Sequence, residues 1–129
     1  MEQSISYTPI GRVENRFDRG ASGDEMRASE SRIVVNQELA RGLEGITPGQ
    51  QLLVVFHFDR STGYDLLQHP RGDRSRPARG VFALRSPRRP NPIGITQVEV
   101  LDVEGNALRV KGLDAYNGTP VLDLKPTWD

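Results

Sequence analysis

ITQVEVLDV at residues 95–103 and ALRVKGLDA at 107–115 flank the short break Glu104-Gly105-Asn106. Val98 and Val100 on one side, and Leu108 and Val110 on the other, recur every second residue, with polar residues between them. A period of two puts one face of each segment in a core and the other toward solvent. Gly105 supplies the positive φ that a short hairpin loop demands, so the two segments are expected to be antiparallel neighbours. Outward from this hairpin, short runs rich in Val, Ile and Leu stand between Gly, Pro and Asn breaks. They read as strands at 5–14, 31–36, 50–58, 80–85 and 120–124, beside the hairpin strands at 95–103 and 107–114. Asn117-Gly118 marks a tight turn before the last strand. NQELARGL at 36–43 spaces Leu39 and Leu43 four apart, with Asn36 able to cap, and predicts a short helix over 37–44. Residues 14–30 are polar and contain glycine, which predicts a surface loop or a weak helix. The expected fold is mostly β: a small closed or partly open β-barrel of about seven strands, with one short helix and long functional loops, forming a single domain over 1–129.

Composition narrows the chemistry. Thirteen glycines and nine prolines among 129 residues favour turns over long helices. With no cysteine, a thiolate metal site, an iron–sulfur cluster and a cysteine nucleophile are excluded. Two histidines leave little for a zinc site, and no metal is expected. No run approaches the length of a membrane span, and the start MEQSISYTPIG has neither a basic nor an apolar leader region. The expectation is a cytoplasmic protein with no membrane partner.

Charge is unevenly placed. Seventeen basic and seventeen acidic side chains cancel overall. Residues 71–90, however, hold seven arginines (Arg71, Arg74, Arg76, Arg79, Arg85, Arg88, Arg89) against the single acid Asp73, a local net charge of +6. Such a stripe on a neutral chain points to a local anionic partner. Arginine presents a planar fork that matches phosphate and carboxylate. Part of the stripe falls in the long connection 59–79, which also carries His69; long loops in compact domains are commonly functional.

Ser86-Pro87-Arg88-Arg89-Pro90-Asn91-Pro92-Ile93-Gly94 follows. Three prolines within six residues fix φ and restrict the residues before them. Arg88, Arg89 and Asn91 are thereby expected to be preorganised for binding. The plainer alternative is a stiffened turn between two strands.

The whole stretch GVFALRSPRRPNPIGIT, residues 80–96, closely resembles the signature of the TsaA-like family, whose named members are TrmO-type tRNA methyltransferases. YTPIGRV at 7–13, ARGLEGI at 40–46, VVFHF at 54–58 and GLDAYNGTPVLDLKP at 112–126 resemble further family segments in the same order. The resemblance implies a β-barrel that binds S-adenosylmethionine, acts as a homodimer, and methylates the exocyclic amine of threonylcarbamoyl-modified adenosine beside the anticodon of tRNA. Carried over residue by residue, it implies a cofactor site of Met26, Arg27, His57, Phe58, Arg85, Thr96, Leu113, Asp114 and Ala115. Three features depart from the family pattern: Asn117 where an Asp is usual, Leu84 before Arg85 where a Thr is usual, and Glu14-Asn15-Arg16-Phe17 after the opening strand.

The residue chemistry is compatible with that implication. Methyl transfer from a sulfonium is an in-line displacement that needs positioning more than a metal or a covalent nucleophile. Phe58 or Tyr116 offers a π-face to a sulfonium. Asp114 offers an acceptor to the cofactor or to the substrate amine, so Asp114 and Tyr116 are the catalytic candidates. Arg88, Arg89, Asn91 and Asn117, with the arginines of 71–79, are candidates for the anionic substrate. Each has a plainer alternative: His57 and Phe58 as core residues, Asp114 as a partner of turn N–H groups. The open functional alternatives are a small-molecule acceptor in the same pocket and a non-catalytic module that binds cofactor or RNA.

Overall fold

The structure is a computed structural model and describes residues 2–128. Six strands close a barrel: β1 (Gly11–Glu14), β2 (Glu30–Val35), β3 (Gln51–His57), β6 (Ile93–Glu104), β7 (Ala107–Lys111) and β8 (Pro120–Pro126). Their order around it is β1-β2-β7-β6-β3-β8, every pairing antiparallel. Closure gives each of the six strands a partner on both sides along at least part of its length. A separate ribbon pairs β4 (Leu67–Gln68) with β5 (Arg79–Gly80). The single α-helix, α1, covers Gly23–Arg27; Ser22 caps it, its Oγ accepting from the Glu25 N–H at 3.0 Å.

The hairpin forms, with Glu104 opposite Ala107 and Val100 opposite Val110, but its second strand ends at Lys111 rather than at 114. Its alternation sends Val98, Val100, Leu108 and Val110 into the barrel, where they meet Val13, Ile33, Leu52, Val54 and Val121, all nearly inaccessible to solvent. Long-range strand pairing thus holds together a core that no single segment builds.

Three local expectations need correction. Residues 80–85 are not a barrel strand: only Arg79 and Gly80 pair, and Val81–Ala83 form a 3₁₀ turn. The Val81 N–H is taken by the Leu66 carbonyl at 2.9 Å, and the prolines that follow cannot donate to a ladder. The barrel therefore has six strands rather than seven. The first strand is Gly11–Glu14 rather than 5–14, because Pro9 lacks an N–H and its carbonyl is taken by Asn36 Nδ2 at 3.1 Å. Asn36 occupies the N-cap position without a side-chain capping bond, and Gln37–Leu43 is a 3₁₀ helix burying only Leu43. The long connection 59–79 contains β4 and a 3₁₀ turn at Pro70–Gly72.

Candidate active site

The barrel is closed by twelve residues of β6 but only five of β7. Pairing between them starts at Glu99 opposite Lys111, and there the chain turns away at Gly112, φ 107°. A side chain at that φ is strained, so glycine is what lets β7 leave. The first half of β6 is left without a neighbour on this side. Two side chains bridge the gap. Thr96 Oγ1 donates to Asp114 Oδ1 at 2.6 Å, and Arg85 Nη1 donates to the free carbonyl of Ile95 at 2.9 Å.

A cleft of about 1610 Å³ opens at this gap. Drug-sized pockets run roughly 300–1,000 Å³, so there is room for more than one small ligand. Its floor includes Phe56 and Phe58, edge to face with centroids 5.1 Å apart. Gly94 makes that pair possible: a Cβ there would lie 2.6 Å from Phe56 Cζ and 2.7 Å from Phe58 Cζ. One wall is α1, which contributes the buried Met26 and the half-exposed Arg27. Arg27 Nη1 donates to Asp114 Oδ2 at 2.7 Å, and Nη2 donates to Asp24. Its guanidinium is held above the ordinary arginine value, chiefly by the Asp24 hydrogen bond, with partial burial opposing and Asp114 adding.

The Asp114 carboxylate is thus fixed in place, each oxygen already accepting one hydrogen bond. A carboxylate has about four acceptor positions, so lone pairs remain for a ligand's donors. Tyr116 lines the cleft, but its hydroxyl donates to the Ala21 carbonyl at 3.1 Å and the Arg60 guanidinium sits 4.9 Å from its ring centre. It fixes the loop before α1.

Of the residues singled out from sequence, Met26, Arg27, Phe58, Arg85, Thr96, Asp114, Ala115 and Tyr116 share this cleft. Arg88 and Arg89 also line it, but their guanidiniums are engaged. Arg89 Nη1 donates to the carbonyls of Leu84 (2.9 Å) and Ser86 (3.0 Å), and Arg88 holds the Thr62 carbonyl (2.8 Å) and Asp65 (3.3 Å). Five candidates lie off the cleft lining, one of them Arg74 from the 71–79 stretch. His57 falls on the opposite face of β3 from the core residues Val54 and Phe56, opposite Ile93. Leu113 is wholly buried in the core. Asn91 is exposed at the tip of the proline loop. The Asn117 side chain accepts from the Asn15 N–H at 3.1 Å and donates to Asp18 at 3.3 Å, pinning the segment after β1. Two of the departures from the family pattern, at Asn15 and Asn117, are therefore partners of one another.

Phe56 and Phe82 were missed. Alternation marked Phe56 as core, which it also is. Phe82 is 78% exposed on the cleft. Its signal was hidden by the expectation of a strand at 80–85. Among the described residues, no group of three or more His, Cys, Asp or Glu is placed to hold a metal ion, and no helix is long and apolar enough to cross a membrane.

Comparison with known proteins gives this geometry a family. Residues 12–129 match the family model of the tRNA-methyltransferase O N-terminal domain. A protein of Archaeoglobus fulgidus named as an S-adenosyl-L-methionine-binding protein is 40% identical over 120 residues, covering 91% of this chain and 85% of that protein. A Pyrococcus abyssi protein named as a probable S-adenosyl-L-methionine-binding protein is 36% identical over 126 residues, covering 95% of this chain and 67% of the other. The crystal structure of TrmO from Pseudomonas aeruginosa superposes with a TM-score of 0.75 at 27% identity, covering 96% of this chain and 56% of that one. The chain thus spans little more than half the length of the solved TrmO. With the proline motif and the closing turn meeting at one gap in a six-stranded barrel, and the family model matching from β1 onward, this chain belongs to the tRNA-methyltransferase O N-terminal-domain family.

Proposed function

We propose that this chain is an S-adenosylmethionine-dependent methyltransferase whose acceptor is the exocyclic amine of an adenosine, threonylcarbamoyl-modified, beside the anticodon of tRNA. The observation that carries this is the bridge Thr96–Asp114–Arg27, which joins the strand after the proline loop, the closing segment and α1 around one cleft. Family membership and the names of the relatives support the cofactor.

The residues present fit such a cofactor. An oriented carboxylate with lone pairs to spare suits ribose or amino donors. The Phe56–Phe58 pair and the Met26 side chain suit the apolar purine and the sulfonium substituents. When bound, the cofactor supplies an electrophilic methyl group. The chain's own part is positioning. Asp114 is held from two sides, so it cannot rotate away from a donor hydrogen. It orients an N–H and stabilises charge developing on the attacking amine. Tyr116 holds the Ala21 loop against the cleft. Arg85 rests on the open edge of β6 and keeps the proline loop beside the acceptor space.

We further propose one domain over 1–129, working as a homodimer in the cytoplasm. The deciding experiment is incubation with methyl-labelled cofactor and total tRNA from a strain lacking its own enzyme, followed by mass spectrometry of nucleosides. Label on modified adenosine is expected. Unlabelled tRNA beside labelled small molecules would replace this acceptor with a small one, and cofactor binding without any transfer would make the chain a sensor.

A further inference from the structure

A compact loop over residues 69–76 supplies a further part of the cleft lining. Residues 69–76 fold on themselves: the Gly72 N–H bonds to the His69 carbonyl (2.9 Å), Asp73 N–H to Pro70 (3.0 Å) and Arg76 N–H to Asp73 (3.1 Å). His69 Nδ1 lies 2.8 Å from the Arg76 carbonyl and closes the loop. Asp73 is the only acid in the basic stretch. It accepts from the Ser75 N–H (2.9 Å) and hydroxyl (2.6 Å) and pairs with no arginine. Pro70 is buried and anchors the loop. Arg71 stands at φ 55°, ψ 23°, the only non-glycine with positive φ among the described residues. Strain of that kind persists where surrounding structure enforces it and is found at ligand clamps.

Arg71, Arg76 and Arg79 line the cleft. Among the described residues their guanidiniums have neither an ion pair nor a side-chain hydrogen bond. Arg88, Arg89, Arg85 and Arg27 on the same cleft are all tied to carbonyls or carboxylates. Phe82 shares the cleft with the three free arginines and turns an exposed ring toward solvent. Free guanidinium forks beside an exposed aromatic ring are what a single-stranded nucleic acid requires: cations for phosphodiester oxygens and a π-face for a base.

We propose that Arg71, Arg76, Arg79 and Phe82 form the seat for the RNA strand flanking the target adenosine, while Arg88 and Arg89 brace the proline loop and touch no substrate. The proposal rests on the tRNA reading above and assigns the residues that grip the strand. The probe is a fluorescent anticodon stem-loop RNA, titrated by anisotropy at several salt concentrations, with cofactor affinity measured separately by calorimetry.

The triple variant Arg71→Ala/Arg76→Ala/Arg79→Ala is expected to bind the RNA at least tenfold more weakly. Its slope of log K against log salt should fall by about 2, three single-strand phosphate contacts at about 0.7 each. Phe82→Ala should weaken RNA binding about tenfold without changing the slope. Cofactor affinity should stay within about twofold in all variants. The Arg→Lys triple variant keeps the charge on the same backbone and should retain most of the slope, separating lost charge from a misfolded loop. Wild-type RNA affinity and slope in the alanine triple variant overturn the seat. So does an equal loss from Arg12→Ala/Arg32→Ala/Arg41→Ala, which would show diffuse attraction. A wild-type chain that binds cofactor but no RNA overturns the tRNA reading itself, and the seat with it.

Discussion

Two arginine-bearing loops face the same cleft and use their charges in opposite ways. In the proline loop, Arg88 and Arg89 turn back onto carbonyls of Thr62, Leu84 and Ser86. In the 69–76 loop, backbone bonds together with the His69 and Asp73 side chains satisfy the turns, and Arg71 and Arg76 project with no partner among the described residues. The prolines account for much of the difference. Three residues without N–H groups leave nearby carbonyls with few backbone donors, and a buried carbonyl without a donor is costly. Arginine, with five N–H donors, supplies what the prolines cannot. A loop that closes its own turns has no such deficit, and its arginines stay available. Clustered charge therefore says little about which charges bind until the carbonyls around them are counted.

The sharpest way to break this contrast is at the base of the proline loop. Gly94→Ala drives a methyl group into both phenylalanine rings. It should destabilise the fold by about 3 kcal/mol, seen as a fall in Tm, and abolish measurable cofactor binding by calorimetry. Next, Arg89→Ala strips two carbonyls of their donor and should cost about 1–3 kcal/mol in chemical denaturation. Arg76→Ala, the matching change in the other loop, should stay within about 0.5 kcal/mol. Equal losses from the two would erase the distinction. Asp114→Asn keeps the shape but replaces one acceptor oxygen by a donor that faces Thr96 or Arg27. It should weaken cofactor binding about tenfold while moving Tm by only a few degrees, because the pair with Arg27 is partly exposed.

Arg71→Gly sharpens the comparison from the opposite side. Glycine accepts φ 55° freely, so stability should hold or rise by up to about 1 kcal/mol while RNA affinity drops. A gain in stability with unchanged RNA binding would leave the strained arginine without a purpose. The smallest effect concerns Asp73, held below the ordinary carboxylate value of 3.8 by the Ser75 hydroxyl and N–H. A depressed folded value means that its support for the loop is complete above the ordinary value and disappears as pH falls through the lowered one. Proton-detected titration of Asp73 should show a midpoint below 3.8, and Ser75→Ala should raise it.

The barrel was legible where chemistry is local. The alternation at 95–103 and 107–115 announced both faces of the hairpin, and the motifs at 80–96 and 112–126 pointed to the segments that meet at the site. Legibility failed where a distant group intervened. Residues 80–85 look like a strand, yet Leu66 takes the bond that a ladder would need. Asn36 looks like a side-chain cap, yet it makes no capping bond and its amide reaches the Pro9 carbonyl. His57 and Leu113 lie within site-like segments, yet the pleat turns His57 away from the core face and the core takes Leu113 whole. Phe82 carried no marker as a cleft residue, since exposure is settled by what the remaining chain fails to cover.

By itself, the order of residues determined the period-two faces, the turns at Gly105 and Gly118, the stiffness of the proline loop and the family. These depend on side-chain alternation, allowed φ values and short-range sterics, all of which act within a few residues. Only the tertiary structure decided that six strands close rather than seven, that β7 departs at Gly112 to open the cleft, and that Arg71, Arg76 and Arg79 have no partner among the described residues while Arg88 and Arg89 are bound. Those outcomes turn on which carbonyl or carboxylate from a remote part of the chain arrives within three ångströms or so of a donor, and no local pattern records that distance.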